Sequence, residues 1–187
     1  MTNRFEIIET PLEGLKVIKR NPQGDSRGYF ERLYCLTELA ELFNGKIISQ
    51  INHTVTEKIG TIRGLHFQYE PFSETKLVMC LKGKVFDVAV DVRIGSPTFL
   101  RFHSEILSES NYKTLQIPEG FAHGFQTMTD DCEMLYFHTA SYQPSAEGAL
   151  NPMDQKLCIP WPFTVVEQSL RDKQHPMINT DFRGVML

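Results

Sequence analysis

The residues at 63–68, R-G-L-H-F-Q, set a histidine two places after a glycine. Side chains on an extended chain alternate between its two faces. Thr61, Arg63, Leu65 and Phe67 are therefore expected on one face, and Ile62, Gly64, His66 and Gln68 on the other. A glycine inside a strand marks a place where a ligand or another backbone comes close, and His66 faces that approach. A histidine has an unperturbed pKa of ~6.5 and suits proton abstraction at neutral pH. A carboxylate on its second nitrogen fixes the tautomer and strengthens the base. Asp87, Asp91 and Asp172 are the candidates for that carboxylate. His123 and Tyr136 lie on separate strand-like segments able to line one barrel mouth with His66. Tyr136 can return a proton from the opposite side, and Lys76 can stabilise an enolate oxygen. Taken singly, each has a plainer reading: a satisfied structural histidine, a core tyrosine, a solvated lysine.

The run 118–123, P-E-G-F-A-H, has the form P-x-G-x-x-H and resembles the second metal motif of the cupin β-barrels. The first cupin motif supplies H-x-H and a downstream glutamate. Here that place reads His66-Phe67-Gln68, with Lys76 following. A glutamine in a ligand's place and a cation nearby both weaken a divalent-metal site. The expectation is a cupin barrel with a polar pocket, no metal and no cofactor.

The chain has 187 residues, enough for one domain, 1–187, with a sizeable core. Its net charge of -4 argues against a nucleic-acid partner. Cys35, Cys80, Cys132 and Cys158 are scattered singly, which suits reduced thiols better than a disulfide framework or a zinc site. The opening M-T-N-R-F-E-I-I-E-T lacks the apolar run of a secretory signal. No apolar run approaches the roughly 20 residues of a membrane helix. A cytoplasmic protein without a membrane partner is expected.

The elements that must position these side chains are mostly strands. Short strands are predicted at 5–8 and 15–19, a turn at 21–25, and an extended segment at 27–34. Residues 36–43 (L-T-E-L-A-E-L-F) predict a helix with Leu36, Leu39, Ala40 and Phe43 on its apolar face and Asn44-Gly45 as its stop. Strands follow at 46–52, at the central stretch, at 76–81 and at 84–93, with Lys82-Gly83 as a tight hairpin turn. In 84–93, Phe86, Val88, Val90 and Val92 form one face, and Val85, Asp87, Ala89, Asp91 and Arg93 the other. Further strands are expected at 99–107 and 112–117, and a final pair at 121–128 and 133–139. After Tyr142 a proline-rich tail, with a short helix at 167–173, wraps the core or carries a side chain back to a pocket. Regular short strands divided by Gly/Pro turns indicate an all-β sandwich or barrel, and no helices stand between the central strands to build a parallel α/β sheet.

A set of motifs spread in order over nearly the whole chain then resembles one family. These are D-S-R-G-Y-F (25–30), Q-I-N (50–52), R-G-L-H-F-Q (63–68), K-L-V (76–78), F-D-V-A-V-D-V-R (86–93), S-P-T-F (96–99), I-P-E-G-F-A-H-G-F (117–125), L-Y (135–136) and Y-Q-P (142–144) with Glu147. They resemble the dTDP-4-dehydrorhamnose 3,5-epimerases. The resemblance implies a cupin-like jelly roll without metal, and a homodimer whose N-terminal segment crosses to its partner. It implies a nucleotide-linked 4-keto-6-deoxy sugar as substrate, with C3 and C5 acidified by the ketone. On this resemblance His66 is the base, Asp172 its orienting carboxylate, Tyr136 the acid on the other face, and Lys76 the residue near the 4-oxygen. Arg27, Gln50, Asn52, Arg63, His123, Glu147 and Arg171 match positions that hold the diphosphate and sugar, and Phe30 and Tyr142 match aromatic positions near the nucleotide. Two departures stand out. Arg32 occupies a place where many members have Glu, with Glu31 before it, and N-P-M-D replaces the usual N-D-P, with Asp154 keeping the acidic place.

The expected function is therefore a cofactor-independent 3,5-epimerase feeding dTDP-rhamnose synthesis. The alternatives are a single-carbon epimerase on a related nucleotide sugar, a barrel that binds a nucleotide sugar without catalysis, and a metal-dependent cupin oxygenase.

Overall fold

Both faces of the strand at 84–91 are buried, and the architecture follows from that. A computed structural model describes residues 3–187. In chain order the strands are β1 (Phe5–Glu9), β2 (Lys16–Arg20), β3 (Gln23–Asp25), β4 (Gly28–Phe30), β5 (Gln50–Thr56), β6 (Ile62–Gln68) and β7 (Lys76–Lys82). They continue with β8 (Lys84–Asp91), β9 (Phe102–Ser108), β10 (Lys113–Ile117), β11 (Phe121–Thr127), β12 (Cys132–His138) and β13 (Glu147–Ala149), and one short helix follows, α1 (Leu170–Lys173). A six-stranded antiparallel sheet runs β1-β2-β10-β7-β12-β5, and a five-stranded one runs β13-β6-β11-β8-β9. From β5 to β8 successive strands alternate between the sheets, which is the jelly-roll pattern.

Three apolar layers result. Val17, Val78, Leu115 and Met134 of the larger sheet meet Val85, Ala89, Leu107 and Phe125 of the smaller between the two. Outside the smaller sheet, Leu65, Val88, Val90 and Ala122 are covered by Leu150, Leu157, Ile178 and Val185 of the tail. Outside the larger sheet, Ile18, Leu77, Met79 and Phe137 are covered by Leu39 and Phe43. A buried side chain of this size contributes ~1.5–3 kcal/mol, so the tail is anchored through packing although little of it is regular structure.

Several sequence expectations change. Residues 36–43 form turns around a 3₁₀ segment, Ala40–Leu42, in place of an α-helix. Eight residues fall short of the roughly 12–15 a helix needs to stand alone, and the segment is held by packing: Leu39 and Phe43 are buried against the sheet and Leu42 partly so, while Leu36 stays exposed. Lys82-Gly83 is a corner between sheets, since β7 pairs with β10 and β12, and β8 with β11 and β9. Gly83 takes φ +80°, and a Cβ there would meet Thr129 Oγ1 at 2.5 Å. The strands expected as a final pair, β11 and β12, likewise belong to different sheets. Turn residues mark where a chain reverses, but a hairpin and a crossing between sheets share the same signal. The 46–52 strand starts later, at Gln50, and runs on through Thr56 at the sheet's edge, where polar side chains reach solvent. The 21–25 turn contributes a strand to the small β3–β4 hairpin. The polar face of β8 is buried as well, with Asp87 and Asp91 fully enclosed.

Candidate functional site

A cavity of about 800 Å³ opens between the sheets where β5, β7 and β12 face β6 and β11. Asn52 and Thr54 of β5, Arg63 and His66 of β6, Lys76 of β7, His123 of β11, Tyr136 and His138 of β12, and Arg171 and Asp172 of α1 line it. Simple alternation sets Arg63 and His66 on opposite faces, yet both reach the cavity. The register explains this: His123 pairs with His66, but Phe125 pairs with Arg63, so β6 carries one residue more than β11 between these pairs. Such a bulge re-aims the side chains beyond it. Gly64 makes the bulge tolerable, because it takes φ +112° and a Cβ would lie 2.6 Å from the His123 carbonyl oxygen. The close approach read from this glycine is that of another backbone.

The tail supplies the carboxylate facing His66. The Ser169 hydroxyl accepts the Asp172 N–H at 3.0 Å, capping α1. Asp172 Oδ1 lies 2.9 Å from His66 Nε2, and Oδ2 accepts the Gly64 N–H at 3.3 Å. Burial pushes the Asp172 carboxyl up, but the His66 hydrogen bond, the His66 charge, the Gly64 N–H and His175 outweigh it and hold it below the usual carboxylate range. The ring nitrogen on this carboxylate carries the proton and leaves the other nitrogen its lone pair. Arg171 donates to Glu147 Oε2 at 3.0 Å, and its Nη2 lies 3.5 Å from His66 Nε2.

A second pair stands beside the first. His123 Nε2 lies 3.0 Å from each oxygen of Asp87. Burial raises the Asp87 carboxyl above its ordinary range despite the opposing pull of His123 and Lys76. Asp91, the third candidate, is occupied by Arg93, Ser96 and Thr98. Tyr136 lies 3.4 Å from Thr54 Oγ1, and its ring meets His123 edge-on at 6.2 Å. Burial pushes its hydroxyl above the usual phenol range. Lys76 donates to the His66 carbonyl at 3.4 Å and pairs with Glu74 at 3.2 Å.

Other expected site residues lie at the rim or beyond it. Gln50 donates to Asn52 Oδ1 at 3.1 Å and accepts the Tyr142 N–H at 3.0 Å. The Tyr142 hydroxyl donates to Glu147 at 3.2 Å, which links this chain of contacts to Arg171. Arg27 and Phe30 do not line the cavity. They sit exposed on the β3–β4 hairpin, Arg27 with Asp25 and Phe30 under Arg4. Arg32 pairs with Glu38, while Glu31 pairs with buried Arg20 at 2.7 Å.

Residues bonded to the site that the sequence does not single out include Thr54 beside Tyr136, and also Glu74, His138 and His175. For the last three the signal is spacing, since Glu74 stands two places before Lys76, His138 two after Tyr136, and His175 three after Asp172. His66, Asp172 and His175 hold donor atoms within 4.8 Å of one another, the one such cluster among the described residues. The Arg171 guanidinium beside His66 opposes a cation there. Gln68, at the place of a cupin ligand, is spent on the backbone of Phe72, Ser141 and Gln143.

A histidine on a fixed carboxylate, a protonated phenol on the opposite sheet and an ammonium beside it are groups able to move protons next to a carbonyl. The comparisons with known proteins agree with that chemistry. The family profile described as dTDP-4-dehydrorhamnose 3,5-epimerase matches residues 9–180. The Salmonella typhimurium dTDP-4-dehydrorhamnose 3,5-epimerase is 40% identical over 175 residues, covering 92% of this chain and 95% of its own. The crystal structure of the Legionella pneumophila dTDP-6-deoxy-D-glucose-3,5-epimerase, in complex with dTDP-4-keto-L-rhamnose, superposes with a TM-score of 0.90 at 35% identity, covering 97% and 98% of the two chains. A Bacillus anthracis dTDP-4-dehydrorhamnose 3,5-epimerase with TDP and PPi bound gives 0.89 at 36% identity, covering 93% and 99%. The chain belongs to the dTDP-4-dehydrorhamnose 3,5-epimerase family.

Proposed function

We propose that the protein inverts C3 and C5 of dTDP-4-keto-6-deoxy-D-glucose, giving dTDP-4-keto-L-rhamnose, as one domain working in the cytoplasm. The reading rests above all on one observation. His66 and Tyr136 stand on opposite sheets of one cavity, with Lys76 on the strand beside Tyr136. A reaction that removes a proton from one face of a carbon and returns it to the other needs that opposition.

The ketone at C4 acidifies the hydrogens at C3 and C5. His66 takes the proton, held in the required tautomer by Asp172. Negative charge moves to the 4-oxygen, where the Lys76 ammonium stabilises it. Tyr136 delivers a proton to the opposite face, and its raised pKa keeps the phenol protonated and able to donate. Water then takes the proton from His66 and returns one to Tyr136, and the reset pair repeats the step at the second carbon. Arg63, Arg171, His123, Asn52, Gln50 and Glu147 hold the sugar and diphosphate, and Tyr142 flanks the nucleotide.

Arg27 and Phe30 fit a homodimer in which the β3–β4 hairpin reaches the partner's cavity. Supporting this, Phe30 and Tyr29 are exposed, and the edge strand β5 leaves Ile51 and Val55 in solvent. Sedimentation at micromolar concentration should give twice the chain mass.

Proton NMR of dTDP-4-keto-6-deoxy-D-glucose incubated with the protein in D2O tests the reaction. Deuterium at both C3 and C5 is the expected result. Deuterium at one carbon would make the protein a single-carbon epimerase, and none, in a folded protein, would overturn the assignment.

A further inference from the structure

Behind the cavity wall, Glu74 joins two of the lining side chains. One carboxylate oxygen lies 3.2 Å from Lys76 Nζ, and the other accepts from His138 Nδ1 at 2.8 Å. All three side chains are enclosed, at 8% exposure for Glu74, 9% for Lys76 and 12% for His138. Lys76 and His138 are themselves cross-strand partners on β7 and β12. We propose that Glu74 and His138 are positioning residues for Lys76, the Glu74 carboxylate holding the ammonium at the cavity wall and His138 sharing that carboxylate's charge. This rests on the role given to Lys76 above.

The donor count supports it. An ammonium has three N–H donors. Lys76 directs one to Glu74 and one to the His66 carbonyl at 3.4 Å, leaving one for a substrate oxygen. A buried ammonium without a counter-charge sheds its proton readily, while an undivided carboxylate would compete with a developing enolate for it. The second hydrogen bond, from His138, relieves that competition. Burial pushes the Glu74 carboxyl up, and Lys76 and His138 together bring it below the ordinary range, so it stays charged. The Glu74 bond also fixes the His138 tautomer. With Nδ1 as donor, His138 Nε2 keeps its lone pair 3.3 Å from the Asn52 amide nitrogen, and the ring stacks on Tyr136 at 6.1 Å.

The other charged or titratable groups that share the cavity with Lys76 are Arg63 and His66 from β6, His123 from β11, Tyr136 from β12, Arg171 and Asp172 from α1, and Glu57 and Glu167, while Asp87 of β8 feels its charge from within the sandwich. None of their side chains forms a hydrogen bond or ion pair with the Lys76 ammonium.

The test is steady-state kinetics of Glu74→Gln, Glu74→Asp, His138→Gln and Lys76→Ala on dTDP-4-keto-6-deoxy-D-glucose, with thermal unfolding to confirm folding. Glu74→Gln should lower kcat about tenfold or more with KM within about twofold, and should move the alkaline limb of the kcat profile to lower pH. Glu74→Asp, which keeps the charge, should restore that limb. His138→Gln should lower kcat less and leave the alkaline limb in place. A folded Glu74→Gln protein with unchanged kcat and pH profile would overturn the proposal. Should Glu74→Gln fail to fold, an unchanged kcat in a folded His138→Gln protein would overturn it equally. Lys76→Ala separates the two readings. If it retains kcat, the role of Lys76 falls and this proposal with it. If it is inactive while Glu74→Gln matches wild type, only this proposal falls.

Discussion

Two histidine–aspartate pairs share the cavity, and their histidines are direct cross-strand partners on β6 and β11. The hydrogen-bond lengths are nearly the same, 2.9 Å for His66–Asp172 and 3.0 Å for His123–Asp87. Their surroundings are not. The His66 side chain is 27% exposed and its aspartate 5%, while His123 is 6% exposed and its aspartate not at all. Asp172 receives an N–H from Gly64 and a second histidine nearby, and its carboxyl is driven down. Asp87 sits within the sandwich, and its carboxyl is driven up. The two aspartates thus obtain unlike proton affinities from burial and from the donors around them.

The widest gap between the pairs should appear in turnover. His66→Ala should lower kcat by about a thousandfold or more, toward the upper range of general-base contributions, with deuterium incorporation at C3 and C5 falling alongside. His123→Asn should cost much less in kcat and act mainly on KM. A fully active His66→Ala protein, or equal losses in the two, would erase the distinction. The carboxylates should follow at lower amplitude. Asp172→Asn leaves the His66 ring in place but supplies an amide that can impose the wrong tautomer, and should lower kcat about a hundredfold, the lower end of general acid–base contributions. Asp87→Asn should stay within about tenfold. Single-turnover rates read both without interference from product release.

How far this was legible beforehand differs by level. The all-β class follows from short strands and Gly/Pro turns, which depend on local chemistry. Strand neighbours do not, because Lys82-Gly83 looks the same as a hairpin turn and as a corner between sheets. His66, Lys76 and Tyr136 suggest themselves by residue type. Three aspartates remained open as partners from the residues alone, since the choice depends on where a tail more than 100 positions away folds back; only the resemblance singled out Asp172. The structure gives two of the three a histidine and the third to Arg93. Alternation separates Arg63 from His66, and a bulge brings both to the cavity. Glu74 and His138 carry no motif, and their bond joins residues 64 positions apart.

The smallest expected effect concerns stability, and the two pairs should give it opposite signs. Asp172 has a folded pKa below the unfolded ~3.9. Its contribution is fully present above that unfolded value and is lost as pH falls through the folded one. Asp87 has a folded pKa above the unfolded value. Its contribution is fully present below ~3.9 and is lost as pH rises through the folded value. The melting temperature of wild type minus that of Asp172→Asn should therefore shrink as pH is lowered below about 4, and that of wild type minus Asp87→Asn should shrink as pH is raised above it. For a chain of this size ~1 kcal/mol moves Tm by about 2–4 °C, so scanning calorimetry from acid to neutral pH resolves the slopes. Any constant offset from altered hydrogen bonding to His66 or His123 leaves the slopes untouched, so it is their sign that decides. Parallel slopes would mean that the two aspartates share one protonation behaviour and that the cavity does not divide them.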